Sequence, residues 1–190
     1  MTDNFNDAVH ITRVLDGDTE AFRELVARYN GLIYRIAYSM VGNEEEARDA
    51  AQEVFYRAFR ALKSYNPTWP FGAWLRRITV NYMLDQRKKK KVQTVSITMD
   101  ETVELDVPDS AMNPREKRRQ SEQNRSVWEA MNQLPDKYRM ILSLRHFENL
   151  SYEEISETLS LPLGTVMTNI HRARKKLAEM LQPIQSELLS

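Results

Sequence analysis

The chain has 190 residues, no formal net charge, 28% charged and 42% hydrophobic residues. That describes a soluble globular protein of one ordinary domain or two small ones, too apolar for wholesale disorder. Five Gly and seven Pro are too few for a turn-rich all-β protein, and the lack of cysteine excludes disulfides, thiolate zinc sites and a Cys nucleophile. The first residues, Met1-Thr2-Asp3-Asn4, do not have the pattern of a signal peptide, and no window approaches 18 consecutive apolar residues. A cytoplasmic location is expected.

The zero net charge hides a segregation. Seven basic residues face one acidic residue, Asp85, between Arg76 and Lys91. Val92–Pro114 then holds five carboxylates (Asp100, Glu101, Glu104, Asp106, Asp109) and no basic residue. Basic charge returns at Arg172, Arg174, Lys175 and Lys176. Such segregation points to separate partner surfaces, against the blander reading of solvated helix faces.

In chain order, a short helix is expected near Asp7–Leu15, stopped by Asp16-Gly17-Asp18. A second is expected near Thr19–Val41, where Phe22, Leu25, Val26, Tyr29, Leu32, Ile33 and Ile36 recur at helical spacing before Gly42-Asn43. The third, near Glu44–Lys63, opens with three glutamates suited to the positive end of its dipole. Ala47, Ala51, Val54, Ala58 and Leu62 form its apolar face, flanked by Phe55, with Asp49, Gln52, Glu53, Tyr56 and Arg60 opposite. Ser64–Pro70 reads as a loop, and a fourth helix as running near Phe71–Lys91. The acidic stretch 92–114 reads as a flexible linker.

After the linker, helices are expected near Arg115–Asn132 and Asp136–Phe147, separated by Leu134-Pro135. Ser151 and Glu154 form a capping box for a helix to Leu159, and Thr165–Leu181 forms the last. The expected architecture is all-α, with two small helical domains: residues 1–91, with four helices, and 115–190, with a helix-turn-helix at about 151–172. In the last helix Val166, Ile170, Ala173, Leu177 and Leu181 form one stripe, with Thr165, Thr168, Arg172 and Lys175 opposite and Asn169 and Lys176 beside them. Cations that neutralise phosphates, interleaved with Thr and Asn that reach base edges, suit DNA.

Two sets of motifs then carry a family resemblance. Leu150–Ser156, Leu161–Val166 and His171–Leu177, with Leu134-Pro135, Arg139 and Leu144–Leu150 upstream, resemble the promoter-reading end of extracytoplasmic-function (ECF) sigma factors. Asp49–Phe55 is similar to that family's polymerase-binding motif. Phe71–Leu75, Ile78, Asn81, Asp85 and Arg87 are similar to its helix that reads the upstream edge of the melted promoter.

The resemblance implies an RNA polymerase sigma factor. Its partners are core polymerase (the clamp helices of the largest subunit and the flap region of the second-largest), promoter DNA, and an anti-sigma factor that holds it at the membrane. It implies no cofactor, no metal and no small-molecule substrate. Core polymerase would meet segment 46–59 and the neighbouring Arg60, through Asp49, Gln52, Glu53, Phe55, Tyr56 and Arg60. The −10 element would meet Tyr65, Asn66, Trp69, Arg76, Arg77, Asn81, Asp85, Arg87 and Lys88. The −35 element would meet Thr165, Thr168, Asn169, Arg172, Arg174, Lys175 and Lys176. Open at this stage are whether Trp69 stacks on a base or packs on the fourth helix, and whether Asp85 reads DNA or forms an ion pair with an arginine.

The last helix departs from the family's usual pattern at Met167-Thr168-Asn169, where a basic residue, Ser and Arg are common, so the −35 sequence does not follow from the resemblance. Three isolated histidines, no phosphate loop and no metal-ligand spacing argue against an enzyme. A stand-alone helix-turn-helix regulator, normally a dimer on two half-sites, leaves the Asp49–Phe55 stripe without a purpose.

Overall fold

A computed structural model describes residues 2–93 and 127–188, with the side chains of 7–90 and 127–182. Among them every regular element is a helix. In chain order these are α1 (Thr2–Leu15), a 3-10 turn (Thr19–Ala21), α2 (Phe22–Val41), α3 (Glu44–Ala61), a second 3-10 turn (Leu62–Ser64) and α4 (Phe71–Gln93). Then come α5, described over 127–133, α6 (Asp136–His146), α7 (Tyr152–Leu159) and α8 (Leu163–Leu188). The expected helix over 115–126 and linker residues 94–114 lie outside the described residues. Residues 92 and 93 continue α4 rather than open the linker.

Local chemistry accounts for the boundaries. Asn43 caps α3 by accepting from the Glu46 amide at 3.0 Å, and the three following glutamates sit at the dipole's positive end. Ser151 and Glu154 complete the capping box on α7 in both directions, at 3.1 and 2.8 Å. Helix α8 starts two residues before the expected Thr165, because the Pro162 carbonyl already accepts from the Thr165 and Val166 amides.

Two hydrophobic cores form. One lies within residues 2–93, where Leu25, Ile33, Val54, Phe71 and Leu75 are fully buried. The other continues across the chain. Ile36, Met40, Ala47, Val80 and Met83 from the first segment merge with Trp128, Met140, Ile141, Leu144, Ile155, Val166 and Ile170 from the second. The Trp128 ring stacks on Tyr38 at 5.2 Å and 17°. Gly42 makes this approach possible. It ends α2 with φ 72°, and a Cβ there would lie 3.0 Å from the Trp128 indole nitrogen.

Polar contacts fix the seam. Arg139, 1% exposed, donates to the Met131 carbonyl (2.9 Å), to the Asn132 carbonyl and, across the seam, to the Met40 carbonyl (2.9 Å). Arg35 forks onto Glu148 at 2.9 and 3.2 Å, and Arg87 meets Asp136 at 2.8 Å. Burial lowers the Arg139 pKa to about 10, which still leaves it charged at neutral pH. Replacing it with Met keeps the side-chain length but leaves three carbonyls without their donor. Arg139→Met is therefore expected to cost about 3 kcal/mol in thermal or urea unfolding, a cost that Arg139→Lys reduces only in part.

Candidate functional site

The outward face of α3 lies where the helical projection puts it. Asp49, Gln52, Tyr56 and Arg60 are exposed, with the Arg60 guanidinium 5.7 Å from the Tyr56 ring centroid. Glu53 is half-buried and held by Arg57 at 2.7 Å. Phe55 departs from the expected surface: it is 7% exposed, edge-on to Phe22 at 6.4 Å, because its register carries it towards α2. It supports this face from beneath, and Phe59, exposed and 5.2 Å from Phe22, takes its place outside.

The Ser64–Pro70 loop is ordered from within. Asn66 accepts from both the amide and the hydroxyl of Thr68, and the Tyr65 hydroxyl donates to the Trp69 carbonyl. The Tyr65 ring packs edge-on to Phe71 and against Trp74, both at 5.3 Å, so it is half-buried. The same burial raises its pKa. Trp69 is 49% exposed. Of the two expected stacking rings, Tyr65 is therefore built into the fold and Trp69 is presented outward.

On α4, Arg77, Asn81, Asp85 and Lys88 are exposed, and Arg76 is half-buried with its Nε lacking a hydrogen-bond partner. Asp85 pairs loosely with Lys88 at 3.6 Å rather than with an arginine, so the pair is a surface contact that leaves the carboxylate accessible. Arg87 is engaged by Asp136 instead of facing solvent as expected, because its register turns it towards α6.

On α8, Val166, Ile170 and Ala173 are buried against the rest of the chain. Thr165, Thr168, Arg172, Lys175 and Lys176 are exposed, and Asn169 is half-buried. The Thr168 hydroxyl donates to the Gly164 carbonyl at 2.8 Å, so it offers a ligand an acceptor and a methyl but no proton. Arg174 lies at the α6 edge of this face. After burial, its charge and that of Arg145 lower the pKa of His146. Arg172, Arg174, Lys175 and Lys176 form no ion pair with any described carboxylate.

The face of the loop and α4 meets α7 across the seam. A hollow of about 530 Å³ lies between the loop and α7, with Trp69, Trp74, Arg76 and Arg77 on one side and Glu154 and Glu157 on the other. The sequence does not disclose this apposition. Nor were His171, Leu163 and Met167 singled out as binding residues, although all three are exposed on α8. His171 lies one turn from both Thr168 and Lys175.

The Sigma-70 region 2 family matches residues 25–92, and the Sigma-70 region 4 family matches residues 124–177. The chain is 35% identical to the ECF RNA polymerase sigma factor SigW of Bacillus subtilis, over 92% of its length and 96% of SigW. It is 32% identical to the ECF RNA polymerase sigma-E factor of Escherichia coli K12, over 97% of its length and 98% of that protein. Among solved structures it resembles CnrH in complex with the cytosolic domain of CnrY (TM-score 0.66, 26% identity, 94% of this chain and 98% of that one). It shares its fold with the sigma factor RpoE of Bartonella quintana, crystallised with the anti-sigma factor NepR (TM-score 0.68, 20% identity, 85% of this chain and 96% of that one).

The loop geometry separates two neighbouring rings by their effect on stability. Trp69→Ala is expected to leave the urea midpoint within about 0.5 kcal/mol of the wild type. Tyr65→Ala, which opens the Phe71–Trp74 cluster, is expected to cost about 2 kcal/mol by the same measurement.

Proposed function

The chain belongs to the ECF RNA polymerase sigma factors of the sigma-70 family, and on that premise we propose how its surfaces divide the work of initiation. Helix α3 binds core polymerase through Asp49, Gln52, Glu53, Tyr56 and Arg60. The loop and α4 read the −10 element, with Trp69 as the stacking ring and Arg76, Arg77, Asn81 and Asp85 around it. Helix α8 reads the −35 element through its free cations and its outward threonines. The domains divide at the acidic linker. The chain works in the cytoplasm as a non-catalytic subunit, and an anti-sigma factor, membrane-bound in this reading, holds it between stimuli.

The observation that carries this reading is the outward face of α3. Asp49, Gln52 and Arg60, beside exposed Tyr56 and Phe59, are left exposed by the described residues. Asp49 and Gln52 form no side-chain hydrogen bond or ion pair among the described residues. A DNA-binding regulator acting alone has no use for such a face.

The seam adds a constraint. Elements centred at −35 and −10 lie about 25 base pairs apart, or about 85 Å along B-form DNA. That is about twice the width of a compact chain of 190 residues. With Glu154 and Glu157 set against the −10 face, the closed chain cannot span both elements. In this reading core polymerase separates the two halves and fixes their spacing, so that two weak DNA contacts act as one.

Two measurements test this. Gln52→Ala combined with Glu53→Ala is expected to reduce co-purification with core polymerase at least tenfold without changing the unfolding midpoint. Equal retention of the variant refutes the α3 assignment. Because the chain has no cysteine, dyes placed at Lys63→Cys and Ala178→Cys report the separation of the halves. Energy transfer between them is expected to fall when core polymerase is added. Transfer that stays constant in an assembled holoenzyme refutes the opening.

A further inference from the structure

The first two turns of α8 carry an apolar edge that neither the core nor the cationic face uses. Leu163 is 40% exposed and Met167 is 52% exposed. They lie one turn apart, between the buried line of Val166, Ile170 and Ala173 and the outward line of Thr168 and Lys175. Resting on the −35 role of α8, we propose that Leu163 and Met167 determine promoter specificity by reading thymine methyl groups in the major groove.

The charge of the helix commits this edge to DNA. Arg172, Lys175 and Lys176 are exposed on the same helix without a described carboxylate partner, so phosphates complement them and seat α8 in the groove. A recognition helix puts its N-terminal residues against the base edges. The major groove is about 12 Å wide and a helix with side chains about 10–12 Å across, so the flanks of the first turns are desolvated together with the outward line.

What Met167 and Leu163 then meet decides the preference. The C5-methyl of thymine is the one apolar substituent on the base edges of that groove, where the other functional groups are hydrogen-bond donors or acceptors. Polar edges facing these side chains lose water without gaining a hydrogen bond, whereas a methyl group buries apolar surface. Thr168 works in the same direction. Its hydroxyl proton is held by the Gly164 carbonyl, which leaves it an acceptor and a methyl group. The preferred −35 duplex therefore carries thymine where this edge lies, and its recognition does not depend on a cation at position 167.

The test uses holoenzyme reconstituted from the full chain and core polymerase. Preferred −35 duplexes are selected from random DNA, and each thymine in turn is replaced by deoxyuridine, which removes only the methyl group. At one or two positions the wild-type affinity is expected to fall about fourfold, the value of one buried carbon. Met167→Gln and Leu163→Ser, both at exposed positions, are expected to bind thymine and uracil duplexes alike. The dependence of their affinity on salt stays that of the wild type, because no phosphate contact is lost. Wild-type affinity indifferent to uracil at every position overturns the inference, as does a thymine preference that survives in both variants. Failure to assemble a holoenzyme or to select any −35 sequence overturns the sigma reading itself, and the inference with it.

Discussion

The arrangement of this molecule depends on one buried cation. Two helices end at Arg139: α5 with the carbonyls of Met131 and Asn132, and α2 with that of Met40. The last carbonyls of a helix have no partner within it and carry the negative end of its dipole. A guanidinium with five donors in a rigid fork satisfies several of them at once, which an ammonium on a flexible stem does not. The same residue therefore closes a helix inside one half and ties that half to the other. Burial works against the charge, but not enough to discharge it at neutral pH. The Trp128–Tyr38 stack and the Gly42 turn supply the apolar surface around it.

Ion pairing divides the surface charge. Many cations of the first segment are neutralised within the chain: Arg13 by Asp18, Arg28 by Asp7, Arg35 by Glu148, Arg48 by Glu44, Arg57 by Glu53 and Lys90 by Glu46. Arg76, Arg77 and the four cations of α8 have no such carboxylate among the described residues. Unpaired positive charge therefore collects at the start of α4 and along α8, where a phosphate backbone is its natural complement. A chain of zero net charge can in this way present two basic surfaces.

Much of this was legible in the sequence, for identifiable reasons. Helical periodicity located the α3 stripe to the residue for Asp49, Gln52, Tyr56 and Arg60, because an exposed face depends only on the 100° step. It also set Phe55 beside the apolar face, where the ring turns inward onto Phe22; only the resemblance had placed Phe55 on the polymerase-binding surface. Glycine, proline and capping residues located the breaks between helices, since those signals act within a few residues. The 3-10 turn at Thr19–Ala21 and residues Leu62 and Lys63 of the second were read as helix, because their composition is helical and only the hydrogen-bond pattern differs.

The sequence by itself determined the all-α class, the family and the stripes that mark its three candidate surfaces. All of these rest on local spacing or on motifs read along the chain. Only the tertiary structure decided which side chains on those surfaces remain free. Arg87 is engaged by Asp136, 49 residues away, and Tyr65 is locked by Phe71 and Trp74 while Trp69 is left outside. Arg139 reaches a carbonyl 99 residues away. Such pairings come from the packing of one helix face on another, which leaves no periodic trace in the chain.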